Sequence, residues 1–103
     1  MSAESLARIG RVMWRELHEY ACRYPTAPTE WDKTRAVRWL ECFGQRLPSQ
    51  GCGCQVKWRM LLQEHPPCLE SRDHFWRWTV QMHGLVNEAL GKPARIEEFL
   101  NAR

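Results

Sequence analysis

Two cysteines one glycine apart, Cys52-Gly53-Cys54, have the most direct access to chemistry in this sequence. Thiols at that spacing serve either as a reversible disulfide or as half of a soft-metal site. A disulfide needs its Cα atoms roughly 4.4–6.8 Å apart, which residues i and i+2 reach only over a bent backbone. Gly53 supplies the φ freedom for that bend. The small ring is expected to be strained, and therefore easily reduced and a good oxidant. A helix beginning near Cys54 would favour a thiolate there through its unpaired N–H groups, lowering that thiol's pKa. Downstream, His65-x-x-Cys68 adds a nitrogen and another sulfur. Cys52, Cys54, His65 and Cys68 together make a ligand set that zinc accepts, although Pro66 and Pro67 restrict the second pair.

Two further pairs, Trp14/His18 and His83/Asn87, stand i and i+4, so each shares one helical face. Two such faces, planar or hydrogen-bonding, enclose a flat ligand inside an otherwise apolar bundle. Taken singly, each residue has a plainer role: Trp14 as core, His18 as a satisfied or exposed histidine, Lys92 as a charge at a helix C-terminus.

The elements that must position these groups are helical. Leu6, Ile9, Val12/Met13, Leu17, Tyr20/Ala21 and Tyr24 recur at helical spacing up to Pro25, with Ser2 or Ser5 as cap. Thr29 reads as the N-cap of a second helix, with Glu30 and Asp32 in its first turn. Ala36/Val37, Leu40, Phe43 and Leu47 form its apolar face, and Pro48 stops it. A third helix starts near Cys54, buries Val56, Met60 and Leu61, and ends at Pro66-Pro67. Ser71 and Asp73 open a fourth, striped by Phe75, Trp78, Met82, Leu85/Val86 and Leu90, with Gly91 as its C′ residue. A short fifth helix, about Ala94 to Asn101, buries Ile96, Phe99 and Leu100. Nothing alternates with period two and no repeat appears. The expected architecture is one all-α domain over residues 1–103, four helices plus a short fifth.

Composition sets the outer bounds. A chain of 103 residues supports one modest core. No apolar run approaches the roughly 20 residues of a membrane span, and the N-terminus shows no secretory signal. The net charge of +3 comes from interleaved basic and acidic residues, which argues against nucleic acid as a partner. Five cysteines, an odd number, leave at least one thiol free or paired between chains. Cys22 and Cys42 are expected to be free, the first shielded in the bundle, because their positions along two antiparallel helices set them too far apart to bridge. The six tryptophans are unusual for this length, and broad aromatic surfaces either fill a helical core or stack on something planar.

The polar residues that interrupt these stripes form a further pattern. Gly10-Arg11-Val12-Met13-Trp14-Arg15-Glu16-Leu17-His18-Glu19-Tyr20-Ala21-Cys22-Arg23-Tyr24-Pro25 resembles the first helix of the Erv/ALR family of FAD-linked sulfhydryl oxidases, G-R-x-x-W-x-x-L-H-x-x-A-x-x-Y-P. Trp78 and the run His83-Gly84-Leu85-Val86-Asn87-Glu88-Ala89-Leu90-Gly91-Lys92-Pro93 are similar to the family's W-x(4)-H-N-x-V-N-x-x-L-G-K-P segment. The dithiol lies between the blocks, with His65-Pro66 following at about the family's distance. The resemblance implies a helical bundle holding FAD against the Cys52–Cys54 redox pair. By similarity, Arg11, Trp14, His18, Tyr24, His83, Asn87 and Lys92 contact the cofactor. It implies a thiol-bearing protein substrate attacking the disulfide at Cys52, electron transfer through Cys54 to the flavin, and oxygen reduced to peroxide. No membrane partner is implied, and a homodimer is a candidate assembly.

The chain departs from the pattern in places. The family's C-x-x-C is shortened to C-x-C, its H-N becomes His83-Gly84, and Val80 stands where a structural cysteine is expected. The family's cysteine-bearing C-terminal segment has no counterpart, so substrate is expected to reach Cys52 directly. These departures keep two alternatives in view, a flavin-free bundle serving assembly and the Cys/His zinc domain.

Overall fold

The computed structural model describes residues 3–47, 53–92 and 94, with side chains from residue 8 onward. Among them stand four helices: α1 (Ala3–Cys22), α2 (Glu30–Arg46), α3 (Cys54–Glu64) and α4 (Arg72–Ala89). Of the fifth helix expected near Ala94 to Asn101 only Ala94 is described, outside any helix, and the rest, like the stop at Pro48, lies outside the described residues. None of the described helices is long and apolar enough to cross a membrane.

Local chemistry sets the helix ends. At α2, Thr29 Oγ1 accepts from the Asp32 amide at 3.1 Å while Asp32 Oδ2 accepts from the Thr29 amide at 2.9 Å, a complete capping box. Ser71 Oγ accepts from the His74 amide to start α4. At its other end Gly91 takes φ 76°, and the amides of Gly91 and Lys92 close on the carbonyls of Glu88 and Asn87. That Schellman closure favours glycine because other residues resist positive φ. Gly53, at φ 68°, is the N-cap of α3 and turns the chain into Cys54. Of the two caps expected for α1, Ser5 lies inside the helix and Ser2 lies outside the described residues.

The pairings Trp14–His83, His18–Thr79 and Tyr24–Phe75 run in opposite directions along α1 and α4, so these helices are antiparallel neighbours. Against α1 also lies α2, through Tyr20–Trp39 stacking at 4.1 Å and an Arg46–Glu16 ion pair at 2.9 Å. The core runs from Met13, Leu17 and Ala21 through Ala36, Leu40 and Phe43 to Trp58, Phe75, Trp78, Met82 and Val86.

Several expected core positions face water instead. Val56 and Met60 are about half exposed, and α3 buries Trp58 in their place, flanked by Leu61 and Leu62. Two residues are some 200° of helical rotation, so turning Trp58 inward turns both 56 and 60 outward. Val37 is exposed because its neighbour Ala36 takes the core position, and Cys22 is exposed because Ala21 does. As expected, Cys22 is free, and so are Cys42 and Cys68; Cys22 is not shielded.

Trp58 is fitted against α2 at Gly44. A Cβ added there would sit 2.5 Å from Trp58 Cδ1 and 2.8 Å from Nε1, and the indole is only 1% exposed. Gly44→Ala is therefore expected to destabilise the protein by about 1–3 kcal/mol through overpacking. Gly10→Ala, with nothing within 4 Å of the new methyl, is expected to be neutral or to stabilise by up to ~1 kcal/mol. Urea midpoints of the two variants check both signs.

Candidate functional site

The seam between α1 and α4 gathers three of the rings expected to act together. Trp14 and His83 stack face to face, centroids 4.1 Å apart and planes 13° from parallel. His18, one turn after Trp14, puts Nε2 3.3 Å from His83 Nδ1 and Nδ1 2.9 Å from Thr79 Oγ1. All three rings are partly buried, while Thr79 is fully buried. The stacked pair leaves no gap for a third plane between its rings, so a flat guest meets an outer face.

Burial sets the charge of this cluster. Desolvation pulls His18 down from its ordinary 6.5 to about 4. His83 falls to about 3, mainly by desolvation and further by the nearby His18 and Lys92. Both imidazoles are neutral at pH 7, able to stack and hydrogen-bond without presenting charge to a guest.

The other expected residues distribute unevenly. Arg11 is exposed on α1, three residues before Trp14 and on its side of the helix. Asn87, partly buried, lies one turn beyond His83 on the same face, and exposed Lys92 closes the α4 terminus near enough for His83 to feel its charge. Tyr24 does not join them. Its ring is buried edge-on against Phe75 at 4.9 Å, and its hydroxyl donates to the Leu69 carbonyl at 2.8 Å. Arg72 donates to the Tyr24 carbonyl, so Tyr24 ties the end of α1 to the α3–α4 connection. Beside it opens a cleft of about 370 Å³, lined by Tyr20, Arg23, Tyr24, Pro25, Asp32 and Arg35 and by neither site histidine.

Cys54 is the first residue of α3, is disulfide-bonded, and packs partly buried against the core. Cys52 lies outside the described residues. One turn on, Trp58 meets Trp14 edge to face at 5.9 Å, with Phe43 at 5.0 Å and Trp78 at 6.1 Å. Aromatic contacts thus run from the turn after Cys54 to the Trp14–His83 stack. Trp58 Nε1 has no hydrogen-bond partner among the described residues, but it lies over Gly44 and faces α2, so it is a packing cost rather than a ligand contact. Among the described residues no three His, Cys, Asp or Glu side chains are grouped to hold a metal ion, so Cys54, His65 and Cys68 do not form a zinc site.

Sequence patterning missed Thr79 and Trp58. Each had a signal in its spacing: Thr79 is i−4 from His83, and Trp58 is i+4 from Cys54, so each shares a helical face with a site residue.

The match of the Erv1 / Alr family model covers residues 11–103. The mitochondrial FAD-linked sulfhydryl oxidase ERV1 of Saccharomyces cerevisiae is 33% identical over 86 residues, covering 84% of this chain and 44% of that protein. An FAD-linked sulfhydryl oxidase of African swine fever virus is 32% identical over 83 residues, covering 81% of this chain and 68% of that protein. The crystal structure of the yeast Erv1 core superimposes with a TM-score of 0.78 at 28% identity, over 99% of this chain and 83% of that one. The FAD binding domain of Saccharomyces cerevisiae Erv1 gives 0.75 at 30% identity, over 95% and 92%. The chain spans about half the length of the yeast and plant relatives it matches.

Proposed function

This chain belongs to the Erv1/Alr family, and on that premise we propose that it is an FAD-dependent thiol oxidase acting on protein dithiols, with oxygen as the electron acceptor. We read residues 1–103 as one catalytic domain with Cys52 as the partner of Cys54. The observation that carries this reading is the disulfide-bonded Cys54 at the first residue of α3, one turn from a tryptophan that touches the Trp14–His83 stack.

The residues present suit FAD. Trp14 and His83 offer flat, uncharged faces, the neutral histidines offer hydrogen bonds, and Arg11 and Lys92 are exposed cations suited to its phosphates. Asn87 adds an amide on the His83 face. Tyr24, already engaged with Leu69, acts as a brace and not as a contact. Bound FAD would supply two-electron redox chemistry and its reoxidation by oxygen. The chain's own part is thiol exchange and orientation. An incoming thiolate attacks Cys52, a second substrate thiol resolves the mixed disulfide, and Cys52 and Cys54 are released as the reduced pair. The N-terminus of α3 favours the anionic form of Cys54.

Purified protein is expected to be yellow, with stoichiometric flavin, and to consume oxygen when given a dithiol. A colourless protein that takes up no FAD after refolding with excess cofactor overturns the reading. Stoichiometric zinc in place of flavin overturns it as well.

A further inference from the structure

We propose that Thr79 is a positioning residue that fixes the tautomers of both site histidines, leaving Nε2 of His83 as a hydrogen-bond acceptor. The protons can be assigned in sequence from the distances. Thr79 Oγ1 lies 2.6 Å from the Trp76 carbonyl oxygen. A carbonyl only accepts, so two oxygens this close require the hydroxyl proton between them. Thr79 then has only lone pairs to offer His18 Nδ1 at 2.9 Å, and Nδ1 must carry the imidazole proton. His18 Nε2 is therefore an acceptor, and at 3.3 Å it takes the proton of His83 Nδ1. His83 Nε2 is left without a proton.

The buried hydroxyl thus sets the polarity of a nitrogen two hydrogen bonds away. The depressed pKa values of both rings agree with single protonation of each at pH 7. A ligand group meeting His83 Nε2 must bring an N–H or O–H donor, which FAD has on its isoalloxazine, its adenine amine and its ribityl hydroxyls. The proton assignment stands on the hydrogen bonds alone; the consequence for FAD rests on the cofactor reading above.

Long-range proton–nitrogen NMR correlations on histidine-labelled protein at pH 7 distinguish the protonated nitrogen of each ring, with His18→Gln and His83→Gln used for assignment. The expected result is an Nδ1–H tautomer for both. An Nε2–H tautomer at either ring overturns the proposal from the wild-type spectrum, without any variant. Thr79→Val keeps shape but removes the acceptor for His18 Nδ1–H. Both tautomers are then expected to invert, making His83 Nε2 a donor and weakening FAD binding roughly tenfold to a hundredfold by facing donor with donor. Thr79→Ser restores the wild-type tautomers and affinity. Unchanged tautomers in a folded Thr79→Val protein would remove Thr79 from its role. Failure of wild-type protein to bind FAD would overturn the oxidase reading and leave the tautomer result to be judged separately.

Discussion

Cys54→Ser is expected to retain FAD and to lower dithiol-driven oxygen consumption to the background rate. A hydroxyl cannot form or exchange a disulfide, so the variant has no two-electron store to pass on, whatever its affinity for cofactor. The retained FAD is as informative as the lost turnover. Trp14, His18 and His83 hold one another through stacking and hydrogen bonds that do not involve α3's first residue. Cys52→Ser should behave differently, because it leaves a lone sulfur at Cys54, where the start of α3 favours the thiolate. A thiolate beside an electron-poor ring gives a broad long-wavelength absorbance, and here it should fade as pH falls through the thiol's pKa. The C-x-C spacing makes the assignment of roles demanding, since a shift of one residue is enough to exchange which thiol faces the cofactor. The band appearing in Cys54→Ser instead would reverse the two roles while leaving the oxidase activity standing.

How much of this was legible in the sequence varied with the kind of interaction. Helix ends were legible where one side chain or one backbone conformation decides them, as at Thr29, Ser71 and Gly91. Burial on α3 was not, because Val56, Met60 and Leu61 make a plausible apolar face by residue type. The outcome depends on Gly44, ten or more residues away, which gives Trp58 a place to lie. The histidine pair shows the same division. Spacing put Trp14 with His18 and His83 with Asn87, but it cannot say which helical faces meet; the antiparallel docking of α1 and α4 does that. Tyr24 matched the family pattern, but its ties to Leu69 and Arg72 at the end of α1 could not be read from spacing. Thr79 stood outside the apolar stripe of α4 and drew no notice there. Its hydroxyl matters only once His18 is seen 2.9 Å away.

Acidification is expected to destabilise this protein from about pH 6.5 downward, above the ordinary carboxylate range, through the two histidines. In the unfolded chain each titrates near 6.5, whereas in the native state His18 is held at about 4 and His83 at about 3. Above pH 6.5 neither state binds these protons and their contribution to stability is constant. Between 6.5 and about 4 the unfolded chain binds protons that the native state refuses, so stability falls as pH falls. His83 continues that fall to about pH 3. Each site adds at most about 1.4 kcal/mol per pH unit, and less here because both rings remain partly open to water. The sites are not independent. With 3.3 Å between His18 Nε2 and His83 Nδ1, a proton gained by one ring opposes a proton on the other, and Lys92 further opposes a proton on His83. Urea midpoints at pH 7, 5.5 and 4.5 should therefore drop steeply in wild type and markedly less in a folded His18→Gln/His83→Gln double variant. Equal slopes in the two proteins would show that acid sensitivity lies elsewhere and that this seam is not where the native state refuses protons.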